Sequence, residues 1–347
     1  MLYQTKNPHG GDIYDGEISL DFSANTNPFG TPQGVLEAVS QSLKDVHRYP
    51  DPYCRKLVQA ISQFEGVPQS YILCGNGAAE LIYAYCEALH PETAAELAPT
   101  FSEYALGLAR TGCAPKEYVL SKENGFQVDW GFLDFLKTEM PQAVFLCNPN
   151  NPTGQIMESE LLKEILAFTR EKGIHLFVDE CFLDLSEGGE SLKGLLEENS
   201  QLFLLKAFTK SYGMAGIRLG YGLCADPALL GKMAQAVQPW NVSSLAQAAG
   251  AAALKEGDFL EKTRTLVFEQ RRWLKAQLES LGFWVSDSKT NYLLFEGPEG
   301  LDKVLRKQHI AIRSCGNYHG LGTAWYRIAV RLPEENKRLM DAIRASR

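Results

Sequence analysis

The 347-residue chain is expected to form an α/β protein with a mostly parallel seven-stranded sheet and a second, smaller α+β domain. Between about residues 71 and 225, short apolar runs alternate with longer segments of helical period, the pattern of a parallel sheet covered by helices. After Pro239 this gives way to one long helical stretch and three short strand-like pieces. The length also exceeds the roughly 100–200 residues of an ordinary domain. Two domains are therefore expected, a large one over 40–239 and a discontinuous small one made of 1–39 and 240–347.

Taken in order, the strands of the large domain are expected at 71–75, 94–98, 117–120, 143–147, 175–179, 202–207 and 220–224. The helical stretch beyond Pro239 is expected over 244–281, and the strands of the small domain at 291–295, 311–313 and 326–330. The turn-rich segment Asn25-Thr26-Asn27-Pro28-Phe29-Gly30 completes the small domain or arches over the site.

Hydrophobic residues at 45% and charged residues at 22% are near the globular average, and no apolar run approaches the ~18 residues of a membrane span. The first residues lack the basic start and apolar run of a signal peptide, so a cytoplasmic location is expected. The eight cysteines make neither Cys-x-x-Cys pairs nor metal-ligand spacings, and read as buried free thiols with no metal. A net charge of −8 argues against nucleic acid as the main partner, while leaving room for a locally basic pocket.

Four motifs carry chemistry. Cys74-Gly75-Asn76-Gly77-Ala78-Ala79-Glu80 follows a strand and opens a helix, where backbone N–H groups can close on a phosphate. Alone it reads equally well as a plain turn, and Glu80 in the third glycine's place counts against a dinucleotide fingerprint. Asn148-Pro149-Asn150-Asn151-Pro152-Thr153-Gly154 makes a rigid turn that can aim an amide into a cleft. Asp179 sits at the C-terminal end of a buried strand, where open α/β sheets bind ligands. Finally, a strand end delivers Lys210, and a second cation, Arg218, follows eight residues later.

In this order and at these intervals the four motifs resemble the pyridoxal-phosphate (PLP) fold type I family, and the resemblance spans almost the whole chain. It implies that Lys210 holds PLP as a Schiff base and that Asp179 keeps the pyridine nitrogen protonated. By the same resemblance Asn151 bonds the cofactor's phenolic oxygen, Phe101 stacks on its ring, and Gly77, Ala78, Ala79 and Arg218 hold its phosphate. Tyr49 reaches the phosphate from a neighbouring subunit, which implies a homodimer with shared sites. One departure is Ala207, where the family usually has a phosphate-binding Ser or Thr; Thr209 is the candidate substitute.

Within the family the chain resembles two branches, the threonine-phosphate decarboxylases and the histidinol-phosphate aminotransferases. The segments around His9, Asn25, Pro239-Trp240-Asn241 and Arg313-Ser314-Cys315-Gly316-Asn317-Tyr318 lean to the decarboxylases, as does Phe182 where the aminotransferases usually have tyrosine. The resemblance implies that His9 closes over the substrate phosphate and that Arg327 binds its carboxylate, with Asn25 and Asn151 nearby. Arg313, Arg327 and Arg331 lie on or beside adjacent strand-like pieces, and three arginines suit a substrate with carboxylate and phosphate groups. A non-catalytic PLP-binding regulatory module is the distant alternative.

Overall fold

All seven apolar runs expected between residues 71 and 225 form strands of one sheet in the computed structural model, which describes residues 9–14 and 16–346. The spatial order is Ile72–Gly75, Gly220–Cys224, Leu202–Ala207, His175–Asp179, Ala143–Cys147, Ala94–Ala98 and Lys116–Val119. Neighbours pair in parallel except that Gly220–Cys224 runs antiparallel to both its partners.

The central strands are mostly apolar because both of their faces are buried, with the polar Asp179 and Lys206 toward their C-terminal ends. Phe145, Phe177 and Phe203 point to one face and stack around Tyr85, with the Phe177 and Phe203 rings 5.2 Å apart. Their chain neighbours Val144, Leu146, Leu176, Val178, Leu202 and Leu204 fill the core of the opposite face. Followed two residues at a time, the phenylalanine face ends in Cys147, Asp179 and Ala207. The other face ends in Glu180 and Lys206. Side-chain alternation thus sends two different sets of polar groups to opposite sides of the same strand ends.

A second core gathers Leu20, Phe22, Leu274, Leu278, Phe295, Tyr326, Ile328 and Leu339 around a four-stranded antiparallel sheet. Its strand order is Arg313–Ser314, Trp325–Ala329, Tyr292–Glu296 and Trp284–Val285. The expected helix 244–281 is two helices, Ser244–Ala253 and Phe259–Ser280, separated where Gly257 disfavours helix and Asp258 precedes the second. The expected strand 311–313 is also divided. Ile310–Ala311 pairs in parallel with Leu20–Asp21, whereas Arg313–Ser314 pairs with Trp325–Ala329. All eight cysteines are free and buried. Among the described residues no helix is long and apolar enough to cross a membrane.

Candidate active site

A cavity of about 350 Å³ opens at the C-terminal ends of the parallel strands, between the large sheet and the antiparallel one. Cys147, Asp179 and Ala207 bring the phenylalanine face of the sheet to its floor, and Arg313 and Arg327 enter from the opposite sheet.

Lys210 lies in the short helix Phe208–Ser211 that continues the strand Leu202–Ala207, and its side chain lines the cavity. Burial and the nearby Arg327 guanidinium lower its pKa to about 8. About one amine in ten is then neutral at pH 7, against about one in three thousand for an unperturbed lysine. The amine sits 5.6 Å from the centre of the Phe182 ring. Lys206, four residues earlier, is in the opposite condition: burial works against its charge, but Asp184, Glu180 and Glu65 outweigh it and raise its pKa. Its Nζ is 3.3 Å from Glu65 Oε1, 3.5 Å from Asp184 Oδ1 and 3.9 Å from Glu180 Oε2. Of the two lysines only Lys210 offers a neutral amine to the cavity.

That contrast predicts a pH dependence. Capture of a carbonyl compound by the apoprotein at Lys210 should speed up with pH along a titration centred at about 8, because only the neutral amine is nucleophilic. The sign for stability is the same: the unfolded lysine binds more protons between about 8 and 10.5, so the apoprotein gains stability as pH rises through that window. Stopped-flow absorbance on addition of PLP measures the capture; a midpoint near 10.5 would contradict the assignment.

Asp179 is buried, and burial raises its pKa. Two hydrogen bonds oppose that shift by favouring the carboxylate, from Tyr104 Oη at 2.8 Å and from the Cys181 backbone N–H at 2.9 Å. The edge of Phe101 meets Tyr104, with ring centroids 5.7 Å apart, and Phe101 also lines the cavity.

The helix Ala78–Leu89 begins at the cavity with Ala78 and Ala79 on its wall. Gly77 has φ +81°, and a Cβ there would lie 2.5 Å from Arg218 Nη2, so glycine is what lets this guanidinium lie against the loop. Glu80 accepts from the Asn76 backbone N–H at 2.7 Å and from Asn241 Nδ2 at 2.6 Å, which explains a carboxylate where a dinucleotide loop has glycine. Ala207 and Thr209 both line the cavity.

The asparagine-rich turn separates its duties. Asn150 is spent on structure, donating to the Pro99 carbonyl at 3.0 Å and accepting from Thr100 Oγ1 at 2.8 Å. Asn151 reaches the cavity, where its Oδ1 accepts from Arg327 Nη1 at 2.5 Å. Arg327 Nη2 donates to the Ser23 carbonyl at 2.8 Å, and the buried Nε has no hydrogen-bond partner among the described residues.

Arg313 stands directly opposite Arg327 in the antiparallel pairing, and both side chains are buried. Arg313 Nη2 donates to Asn317 Oδ1 at 2.7 Å. Like charges facing each other across strands are unfavourable, so the pair is suited to an anion lying between or beside them. Asn25 is also buried on the cavity wall, with neither amide atom partnered among the described residues. These orphaned polar groups, with Lys210 and Arg218, give a site that fits PLP together with an anionic amino acid.

Two expected residues lie elsewhere, and one has an unexpected partner. Arg331 does not line the cavity; it follows the strand Trp325–Ala329 and turns to Glu335 Oε1 at 3.3 Å. Tyr49 is 79% exposed and stacks on Trp240 at 4.5 Å, outside the cavity of its own chain. His9 does line the cavity, but its Nε2 is 2.6 Å from Glu103 Oε1. Glu103, which also accepts from Tyr83 Oη at 2.6 Å, carried no signal in the sequence.

Sheet order, the cavity at the strand ends and the lysine–aspartate pair define a fold type I PLP enzyme. A family model described as aminotransferase class I and II matches residues 17–343. The chain belongs to that family, and PLP is its cofactor. It is 35% identical to threonine-phosphate decarboxylase of Salmonella typhimurium over 97% of this chain and 95% of that protein. It is also 36% identical to histidinol-phosphate aminotransferase of Desulfitobacterium hafniense, over 94% and 91% of the two chains. Among solved structures, histidinol-phosphate aminotransferase from Clostridium acetobutylicum superposes with TM-score 0.88 at 27% identity, covering 94% of this chain and 98% of that one.

Proposed function

We propose that the chain decarboxylates L-threonine O-3-phosphate to aminopropanol O-phosphate and carbon dioxide, a step of cobalamin side-chain synthesis. The carrying observation is Arg313 opposite Arg327 on the wall that faces Lys210: two buried cations suit a substrate that brings both a carboxylate and a phosphate. The resemblance to threonine-phosphate decarboxylase over almost the full length of both chains supports the same reading.

Bound PLP supplies an electron sink for negative charge developing at the substrate's α-carbon. Lys210 carries the cofactor and, when its amine is free, holds the proton to be delivered to that carbon. Asp179, its carboxylate favoured by Tyr104 and the Cys181 N–H, holds the proton on the cofactor's ring nitrogen. Phe101 covers the ring, and Asn151 serves its phenolic oxygen. Arg218, Thr209 and the N–H groups at Ala78 and Ala79 hold its phosphate, with Thr209 standing in for the hydroxyl that Ala207 lacks, while the Gly77 N–H is taken by the Gly75 carbonyl at 2.8 Å. Arg327 is fixed between Asn151 and the Ser23 carbonyl, so it presents its remaining donors in one orientation and sets the substrate carboxylate. Arg313 and His9, with Asn25, take the substrate phosphate.

The proposal includes a cytoplasmic homodimer in which the exposed Tyr49 completes the partner's phosphate site. It also takes 40–239 as the cofactor-holding unit and 1–39 with 240–347 as the second unit. A second reading, an aminotransferase acting on histidinol phosphate, is favoured by the 36% identity to that branch, against 35% to the decarboxylase. Phe182 leans against it, because a phenyl ring and not a phenol faces Lys210.

The test is incubation of PLP-loaded protein with L-threonine O-3-phosphate and no keto acid, following carbon dioxide and the amine product. Many turnovers of carbon dioxide per site are expected. No release, together with conversion of the cofactor to its pyridoxamine form by histidinol phosphate, would leave the aminotransferase.

A further inference from the structure

We infer that Lys206 and the buried ion cluster around it are positioning residues that hold Lys210 and Asp179 in register from the far face of the sheet, without touching substrate or cofactor. The inference rests on the reading that Lys210 and Asp179 serve the cofactor. It follows from the chain's local geometry: the cavity-lining Asp179, Ala207 and Lys210 are each chain neighbours of a residue engaged in the cluster. Asp179 is followed by Glu180, whose carboxylate accepts from Ser191 Oγ at 2.6 Å and from the Leu192 N–H at 2.9 Å, and lies near Lys206 Nζ. Ala207 is preceded by Lys206 itself. Lys210 is followed by Ser211, whose hydroxyl donates to Asp184 Oδ2 at 2.9 Å.

The cluster also reaches across the sheet and beneath it. Tyr221 is the strand partner of Lys206, and its hydroxyl donates to Glu65 Oε1 at 2.5 Å. Lys193 Nζ reaches the other oxygen of Glu65 at 2.8 Å, and Arg264 donates to the Asp184 carbonyl at 3.3 Å. Tyr212 feels the charges of Asp184, Glu65 and Lys206. Three carboxylates, Glu65, Glu180 and Asp184, thus converge on one buried ammonium, with Lys193 at the margin. The ammonium joins the segment after Asp179, the strand before Lys210 and the helix Arg55–Glu65 into one unit. A burial-only role would be served by apolar side chains, which fill the rest of this face.

Lys206→Met and Lys206→Arg, loaded with PLP, test this by the pH midpoint of the lysine-bound cofactor's absorbance, beside kcat and KM. Removing the ammonium strengthens the negative field behind Lys210. For Lys206→Met the midpoint should therefore move up by about one pH unit, and kcat should fall about 10-fold with KM little changed. Lys206→Arg should restore most of both. A lowered melting temperature with midpoint and kcat as in the wild type would overturn the inference. If Lys206→Met does not fold, Ser211→Ala decides, because it removes only the hydroxyl that ties the cluster to the neighbour of Lys210. A fall in kcat of about 5-fold with a displaced midpoint supports the inference, and wild-type values for both overturn it. The midpoint needs no substrate, so the outcome is separate from whether the protein decarboxylates threonine phosphate.

Discussion

Lys210→Ala is expected to lower turnover by at least about 10⁴-fold, even with saturating PLP and substrate. Two proposed functions go with the side chain: the covalent hold on the cofactor and the proton delivered to the α-carbon. Among the described residues the cavity offers no replacement of the same kind. Lys206 is held as a cation by three carboxylates on the other face of the sheet, and Arg218, Arg313 and Arg327 bring guanidinium groups, not amines. The variant should still bind PLP, because the residues proposed to hold its phosphate and Asp179 remain, but without the absorbance of a lysine-bound cofactor. Spectra before and after gel filtration, alongside turnover, check both statements. Residual activity within tenfold of the wild type would remove Lys210 from its assigned role.

Arg327→Ala should reduce kcat/KM by about 10²–10⁴-fold, taking two lost charge-assisted hydrogen bonds at about 1.5–3 kcal/mol each. The guanidinium is buried, tied to Asn151 and the Ser23 carbonyl, and its Nε has no partner among the described residues. Its loss therefore removes the proposed carboxylate grip and also frees Asn151. Arg327→Lys should recover only a small part, since an ammonium cannot reproduce the planar fork that meets Asn151, Ser23 and a carboxylate together. Steady-state kinetics with the phosphorylated amino acid measure the effect, and a loss below tenfold would mean that the carboxylate is held elsewhere.

The large sheet was legible because its central strands are buried on both faces and so read as mostly apolar runs of four to six residues, interrupted at Glu96 and Lys206. The two-residue strands Leu20–Asp21 and Trp284–Val285 were not, since so short a piece has no period to read. Ile312 divides a segment that looked like one strand, because its two halves pair with different partners far away in sequence. The same limit applies to the site. Lys210, Asp179 and Asn151 announce themselves by the strand ends and turns that carry them, and the structure brings them to one cavity. Arg331 shares the spacing of Arg327 by strand parity, but the strand ends at Ala329 and the arginine turns to Glu335. Glu103 enters the cavity through tertiary packing of a short helix, and nothing local marks it. Nor did Lys206 stand out, although the strand that delivers Lys210 carries it on the opposite face.

The most direct test of the central claim is to locate the cofactor on the chain. PLP-loaded protein is reduced with borohydride, digested with trypsin and mapped by mass spectrometry. One phosphopyridoxyl group per chain is expected at Lys210, on a peptide spanning 207–218 in which cleavage after Lys210 is blocked. Label at Lys206 or at a surface lysine, with Lys210 unmodified, would contradict it.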